Sequence, residues 1–171
     1  MANNNHADLN TDATRHYPRG FEGAGNNTHP RKNASGLYVW ENGLIIEKVT
    51  ISSAEMLDIH DTPKELIAAP GANKVIRVLD ILNFLDFNSA AYVTGANKFT
   101  VEYGANNYEI FSLNDALITS AADRVERGVY STTEQLGVNE AVVATMATAD
   151  PTDGDSPLYM WLTYFIQDLT A

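Results

Sequence analysis

Three groups of residues in this chain are of types that could do chemistry, and the first is centred on His60. His60 is the only histidine outside residues 1–36, and Asp61 follows it directly. With the hydroxyl of Ser52 or Ser53, these residues have the composition of a Ser-His-Asp triad, in which the imidazole takes the proton of the nucleophile. Neither a nucleophile elbow nor a glycine cluster for an oxyanion hole accompanies them. We therefore expect His60 to be a surface histidine beside a turn aspartate.

The second group consists of carboxylates that are close together in the sequence, namely Asp58, Asp61 and Glu65. Glycosidases use a pair of carboxylates on either side of the scissile bond, so such a group could act in sugar hydrolysis. The chain has 22 acidic residues, however, and a solvated loop explains the same cluster. We expect no catalytic role for it.

The third group lies in the segment from Asp150 to Asp155, which is the densest in carboxylates and resembles a calcium loop. An EF-hand requires a bidentate glutamate at its twelfth position, where this chain has Trp161, so that site is excluded. An irregular calcium site and a polar turn between two strands remain as alternatives, and we favour the turn. The chain also has no P-loop, dinucleotide fingerprint or zinc-ligand spacing. The sequence predicts no enzyme, no cofactor and no metal site.

The elements that position these groups begin only after an unusual N-terminal segment, residues 1–36. This segment is rich in Asn, His and Gly and has few large apolar side chains. Ordering a backbone costs about 1–2 kcal/mol per residue, so the segment cannot fold by its own burial. We predict an extended or disordered N-terminal arm at residues 1–36, followed by one domain at residues 37–171. A tail without function is the alternative to an arm that binds a partner.

The charges divide at the same boundary. The arm has four basic and three acidic residues, whereas the remainder has 7 basic and 19 acidic ones, which together give the net charge of −11. An acidic domain repels nucleic-acid phosphates, so we expect no nucleic-acid partner. The chain has no cysteine, no apolar run of about 18 residues and no signal peptide at its start. We expect synthesis in a cytoplasm and no membrane partner.

The remainder of the chain alternates short apolar, β-branched segments with Gly, Pro and Asn turns. The clearest signal is a β-hairpin, in which residues 98–103 and 108–112 alternate on either side of the turn at residues 104–107. Further strands are predicted at residues 44–51, 54–59, 66–67, 74–87, 141–146 and 158–166. About eight strands at this spacing predict an all-β fold, an antiparallel β-sandwich of jelly-roll type.

Two segments are ambiguous. Residues 74–87 have polar side chains at every third position, which fits neither a helix nor a strand, and their β-branched content favours a long strand with a bulge. Residues 114–127 read as a helix with Asn114 as its N-cap, although a strand and a loop could equally occupy them.

The last predicted strand has large apolar side chains on both faces. Tyr159, Trp161 and Phe165 share one face, and Leu158, Met160, Leu162, Tyr164 and Ile166 share the other. A strand of this kind is covered on both sides, by the core and by a neighbouring subunit or the arm. The pattern therefore indicates an oligomer.

Residues 51–104 resemble small virion proteins of tailed bacteriophages that decorate or cement the capsid. The resemblance is carried by the pair Thr62-Pro63, by the Ala-Pro-Gly-Ala turn at residues 69–72, and by Ala90, Ala91 and Tyr92 before the next strand. A Thr-Asp-Gly-Asp turn at residues 152–155 matches as well. The resemblance implies a jelly roll that forms a homotrimer and binds the major capsid protein on the surface of the virion. It does not include the arm.

In a protein of this family, the arm would be a means of attachment. We expect Arg15, Arg19, Arg31 and Lys32 to pair with an acidic shell surface, and Tyr17 and Phe21 to fill apolar pockets. The alternative function is a virion-associated fibre or carbohydrate-binding module for host recognition. Its sugar-stacking candidates are Trp40, Tyr92, Tyr103, Tyr108 and Tyr130.

Overall fold

The computed structural model describes residues 44–131 and 135–170, together with the backbone of residues 31–32 and 38–39. The predicted arm contacts Arg15, Tyr17, Arg19 and Phe21 lie outside the described residues, as do the side chains of Arg31 and Lys32. Trp40 lies outside them too. The arm boundary at residue 36 and the arm contacts stay predictions.

The described residues form eleven strands and two helices. The strands are β1 (Arg31–Lys32), β2 (Tyr38–Val39), β3 (Ile45–Ile51), β4 (Lys64–Ile67), β5 (Lys74–Leu85), β6 (Phe99–Tyr103), β7 (Tyr108–Leu113), β8 (Arg124–Arg127), β9 (Val129–Tyr130), β10 (Val142–Met146) and β11 (Leu158–Asp168). The helices are α1 (Ser53–Met56) and α2 (Asp115–Ile118).

The strands form two antiparallel sheets. The six-stranded sheet has the order β1-β2-β3-β11-β5-β8, and the five-stranded sheet has the order β4-β10-β6-β7-β9. The strands β1, β2 and β9 have only two residues each. If they are left out and the remaining eight strands are counted in chain order, the first sheet has the order 1-8-3-6 and the second has the order 2-7-4-5. Two interlocked Greek keys of this order are a jelly roll, so the predicted fold class is confirmed.

The core lies between the two sheets, and alternation along the strands explains how it is filled. Leu158, Met160 and Leu162 of β11 are fully buried, and Val101 and Tyr103 of β6 meet them from the opposite sheet. The buried tyrosine hydroxyls have partners, as burial of a polar group requires. For example, Tyr103 donates to the carbonyl oxygen of Ile76.

One strand crosses from one sheet to the other at Gly128. β8 pairs with β5 in the six-stranded sheet, and β9 pairs with β7 in the five-stranded sheet. A Cβ at Gly128 would lie 3.0 Å from the Cδ1 atom of Phe111, so glycine allows the close approach at this corner.

The predicted strand at residues 54–59 is wrong. Ser52 caps α1 there, because its Oγ accepts the N–H of Glu55 at 3.3 Å and the carboxylate of Glu55 accepts the N–H of Ser52 at 2.8 Å. This reciprocal capping box nucleates a helical turn, and Met56 anchors that turn in the core. Ile59 is buried as predicted, but Leu57 is exposed.

The structure resolves both ambiguous segments. β5 is one long strand, and its register against β11 shifts at Leu79, where the predicted bulge lies. Asn114 is an N-cap as predicted and its Oδ1 accepts the N–H of Ala116, but α2 ends at Ile118. The helix over residues 114–127 is therefore wrong, because β8 follows and pairs with β5.

Candidate functional site

The Ser-His-Asp arrangement is not assembled among the described residues. His60 donates from Nδ1 to the carbonyl oxygen of Met146 at 2.7 Å, so the ring nitrogen that a triad aspartate would hold is bound to the backbone. The hydroxyl of Ser52 donates to Glu55 at 2.8 Å as part of the helix cap. Both groups have structural partners.

Three carboxylates do come together, although they are not the three that the sequence grouped. Asp58, Asp61 and Asp150 have carboxylate oxygens within 4.8 Å of one another. The first two are exposed, and Asp150 accepts the N–H of His60 at 2.5 Å. Glu65 instead lies on β4, opposite Val143. Carboxylate oxygens are ligands that Ca²⁺ accepts, but exposed acidic groups of this kind are common without an ion.

A cavity of about 550 Å³ lies beside this cluster, between α1 and the start of β4. Its charged lining includes Glu55, Asp58 and Lys64. Lys64 pairs with Glu55 at 2.5 Å, and that hydrogen bond, with those from Ser52, lowers the pKa of Glu55 to about 2. Two of the charged groups that line the cavity, Lys64 and Glu55, therefore neutralise each other.

The loop at residues 150–155 is a polar turn in the structure. The carboxylate of Asp155 accepts the N–H groups of Ser89 and Ala90 at 3.0 and 2.9 Å and the Nδ2 of Asn88 at 2.9 Å. These bonds, led by that of the Ser89 hydroxyl, lower the pKa of Asp155 to about 2. Asp150 and Asp155 thus bind different neighbours within the chain.

The outward side of the six-stranded sheet is the most unusual surface of the described residues. Alternation places the odd-numbered residues 159–165 of β11 on this side, since the even-numbered residues 158–164 are buried. Neighbouring strands add matching side chains through the register, in which Tyr159 faces Phe84 and Trp161 faces Leu82. Val125 of β8 lies beyond Phe84. We call this surface the aromatic face, and its apolar members are Ile46, Leu82, Phe84, Val125, Tyr159, Trp161 and Phe165.

The rings of the aromatic face contact one another. Phe84 and Tyr159 are stacked, with centroids 6.1 Å apart and an angle of 18° between their planes, and Tyr159 and Trp161 are 6.4 Å apart. The Nζ of Lys48 lies 4.1 Å from the centroid of Tyr159 and 5.2 Å from that of Trp161. Such cation–π contacts hold the ammonium over the rings.

The aromatic face is also the basic surface of an acidic domain. It has three cations, Lys48, Arg77 and Arg127, and one anion, Asp80. Arg127 pairs with Asp80 at 2.6 Å, whereas Arg77 makes no ion pair with any residue that the structure describes. The ranges 44–131 and 135–170 contain 7 basic and 17 acidic residues in all. Almost half of these cations therefore lie on one face.

The outward side of the five-stranded sheet has the opposite character. Glu102 of β6 faces Glu109 of β7 there. Burial is the main cause that raises the pKa of Glu102, and the charge of Glu109 adds to it. Lys98 pairs with Glu109 at 2.6 Å. The two outer faces of the sandwich thus differ in charge.

The aromatic residues suggested for sugar stacking are mostly unsuited to it. Tyr92 and Tyr103 are buried, with 2% and 0% of their surfaces exposed. Tyr108 is partly buried against the core, and Tyr130 packs its ring on Phe111 at 4.1 Å. The rings that do reach solvent together are those of the aromatic face.

A scan of the chain against models of protein families found no matching family, and a search of curated proteins found no matching relative. Neither helix of the described residues has the length and apolar character needed to cross a membrane.

Proposed function

We propose that this protein is a structural virion protein that binds the outside of an assembled phage capsid as a homotrimer and cements or decorates it. The observation that supports this proposal best is the aromatic face, an apolar sheet surface on a jelly roll in which His60 and Ser52 make structural hydrogen bonds. Large exposed apolar patches are typical of proteins that function by association. The resemblance of residues 51–104 to phage capsid decoration proteins supplies the class of partner, the major capsid protein.

The proposed mechanism is purely associative. Each trimer bridges neighbouring capsid subunits, so that separating them also requires breaking their contacts with the trimer. Attachment is partly through the N-terminal arm, in which Arg15, Arg19, Arg31 and Lys32 pair with acidic shell residues while Tyr17 and Phe21 fill apolar pockets. Three arms on one trimer raise each other's effective concentration, so weak single contacts sum to firm attachment.

The test is co-sedimentation with capsids after removal of the arm. β1 begins at Arg31 and joins the six-stranded sheet, so the deletion should end at residue 30 in order to leave the sheet intact. We expect the truncated protein to keep its β-type circular dichroism and its oligomeric mass but to stay in the supernatant. Arg31 and Lys32 stay in the truncated protein, so binding that survives the deletion would refute the role of residues 1–30.

A carbohydrate-binding or host-recognition module is the second candidate, and the solvent-facing rings of Tyr159 and Trp161 are the observation that favours it. Sugars stack on open ring faces, however, and here Lys48 lies over both rings. A glycan array on the full chain separates the two functions. Binding of a glycan that Trp161→Ala abolishes would favour the second candidate.

A further inference from the structure

The distribution of charge on the chain indicates what covers the aromatic face. We propose that a second copy of this chain covers it, in a heterologous contact that places the cations of the face against the acidic surface of the neighbour. This inference deepens the proposed function, since it states which surface builds the oligomer.

The size and composition of the face favour a permanent partner. Along β11 it extends from Tyr159 to Phe165, about 20 Å at about 3.3 Å per residue, and it crosses four strands spaced about 4.8 Å apart. Contiguous apolar patches larger than a few hundred Å² are rare on monomeric proteins and mark interaction sites or aggregation liabilities. A second copy is present wherever the protein is made, so it can cover such a face before any capsid is met.

Charge complementarity decides between the possible geometries. In a two-fold contact each patch meets itself, so a face with three cations and one anion would meet the same excess of positive charge on the partner. A heterologous contact instead brings a different surface of the neighbour. Outside the aromatic face the described residues include 4 basic and 16 acidic ones, which gives that surface the complementary charge. Heterologous contacts that close form rings, and a trimer is one of them.

The outer side of the five-stranded sheet is not the surface that closes such a ring. It lies on the opposite side of the sandwich from the aromatic face. If this side of one copy bound the aromatic face of the next, the copies would form an open array and not a closed ring. The neighbour therefore contributes acidic residues from an edge or an end of its sandwich.

Two valines provide a matched test. Val125 on the aromatic face and Val129 on β9 have almost the same exposure, 62% and 63%, and belong to opposite sheets. Sedimentation equilibrium on the full chain would give the dissociation constant of the oligomer for Val125→Gln and Val129→Gln. We expect Val125→Gln to raise this constant at least tenfold and Val129→Gln to change it less than twofold. Equal effects of the two substitutions would overturn the proposal.

The charges provide a second, independent measurement. Arg77→Gln should weaken self-association, and added salt should weaken that of the wild-type chain. Arg124→Gln is the matched control, because Arg124 already pairs with Glu126 at 3.4 Å. Self-association that is insensitive to salt and to Arg77→Gln would overturn the heterologous geometry.

The results separate this inference from the proposed function. An oligomer that depends on Val125 but does not sediment with capsids supports the covered face and contradicts the capsid role. A wild-type chain that stays monomeric, yet sediments with capsids only when Val125 is intact, shows that the shell occupies the face and overturns the inference.

Discussion

The ammonium nitrogen of Lys48 lies 4.1 Å from the centre of the Tyr159 ring, on the side of the sheet that faces away from the core. Lys48 and Tyr159 come from adjacent strands, and the register sets Lys48 opposite Trp161. The contact therefore places the ammonium group of Lys48 on β3 over the aromatic rings of β11. It shows that the aromatic face has an ordered arrangement of its own side chains.

The first prediction concerns this contact. Lys48→Gln removes the charge above the two rings, and exposed cation–π contacts contribute about 0.5–1 kcal/mol. We expect a loss of about that size in the free energy of unfolding, measured by urea denaturation. Lys48→Arg keeps the cation and should stay close to wild type. Equal stability of Lys48→Gln and wild type would mean that the contact does not contribute.

The second prediction concerns Gly154, which has a φ of +82° and lies against Tyr92. An added Cβ would lie 2.2 Å from the Cδ1 atom of the buried Tyr92 ring, so Gly154→Ala must displace the ring or the loop. We expect Gly154→Ala to lower the free energy of unfolding by at least about 2 kcal/mol.

Gly71→Ala is the matched control for Gly154. Gly71 has a φ of +98°, but a Cβ there would meet nothing within 4 Å. Only backbone strain acts at this position, so we expect a smaller loss, of about 1 kcal/mol. Thermal or urea unfolding of the two variants compares them directly. Equal losses would show that the Tyr92 contact is without effect.

The third prediction concerns the pH dependence of stability through Asp155. Hydrogen bonds from Ser89 and Ala90 lower its pKa from the ordinary 3.8 to about 2 in the folded chain, so the folded state favours the charged form. The stability from Asp155 is therefore fully present above about pH 4 and is lost as the pH falls towards 2. We expect Asp155→Asn to destabilise the protein at pH 7, by an amount that shrinks between pH 4 and pH 2.

Asp153→Asn is the control for Asp155, because the Asp153 carboxylate makes no hydrogen bond with the described residues. Asn also tolerates the φ of +54° at this position. Thermal unfolding of both variants from pH 7 to pH 2 makes the comparison. A difference between Asp155→Asn and wild type that stays constant down to pH 2 would contradict the prediction.

The fourth prediction concerns the cap of α1. Ser52→Ala removes the acceptor of the Glu55 N–H, and loss of a serine N-cap costs about 1 kcal/mol. Met56 connects α1 to the core, so the loss should appear in global unfolding. Ser53→Ala changes the next residue, whose side chain has no hydrogen bond with the described residues, and should cost much less. Similar losses for the two serines would argue against the capping box.

Local patterns in the sequence were sufficient to predict most of the strands. The alternation of Phe99, Val101 and Tyr103 predicted β6 and its hairpin, since a strand with one buried face requires that period. The turn at Pro70-Gly71 was also predicted, and Gly71 has the positive φ that such turns need. The bulge at Leu79 shifts the inward face of β5 by one residue, so Arg77 and Asp80, which are three residues apart, both point outwards.

The errors came from signals that compete over a few residues. Residues 54–59 contain apolar side chains that alternate, but the Ser52–Glu55 capping box is decisive and was visible as Ser-x-x-Glu in the sequence. After Asn114 the apolar residues keep a helical spacing in the sequence. In the structure, however, β8 forms there and makes backbone hydrogen bonds with β5. Pairing with a distant strand cannot be read from a local period.

The surface features were predictable only in part. The sequence placed Tyr159 and Trp161 on the opposite face of β11 from Leu158, and this division is confirmed, but only the structure shows that the face of Leu158 meets the core. The joining of Asp150 to Asp58 and Asp61 was not predictable, because it depends on the folding together of loops about 90 residues apart. The presence of Lys48, Arg77 and Arg127 on the aromatic face was also not predictable, because it depends on the register between strands.

Co-sedimentation of the full chain with capsids of its phage, combined with its native mass in solution, tests capsid binding by the homotrimer. We expect a trimer of three 18.7 kDa chains that sediments with the capsids and saturates them. A stable monomer that stays in the supernatant at every capsid concentration would contradict it.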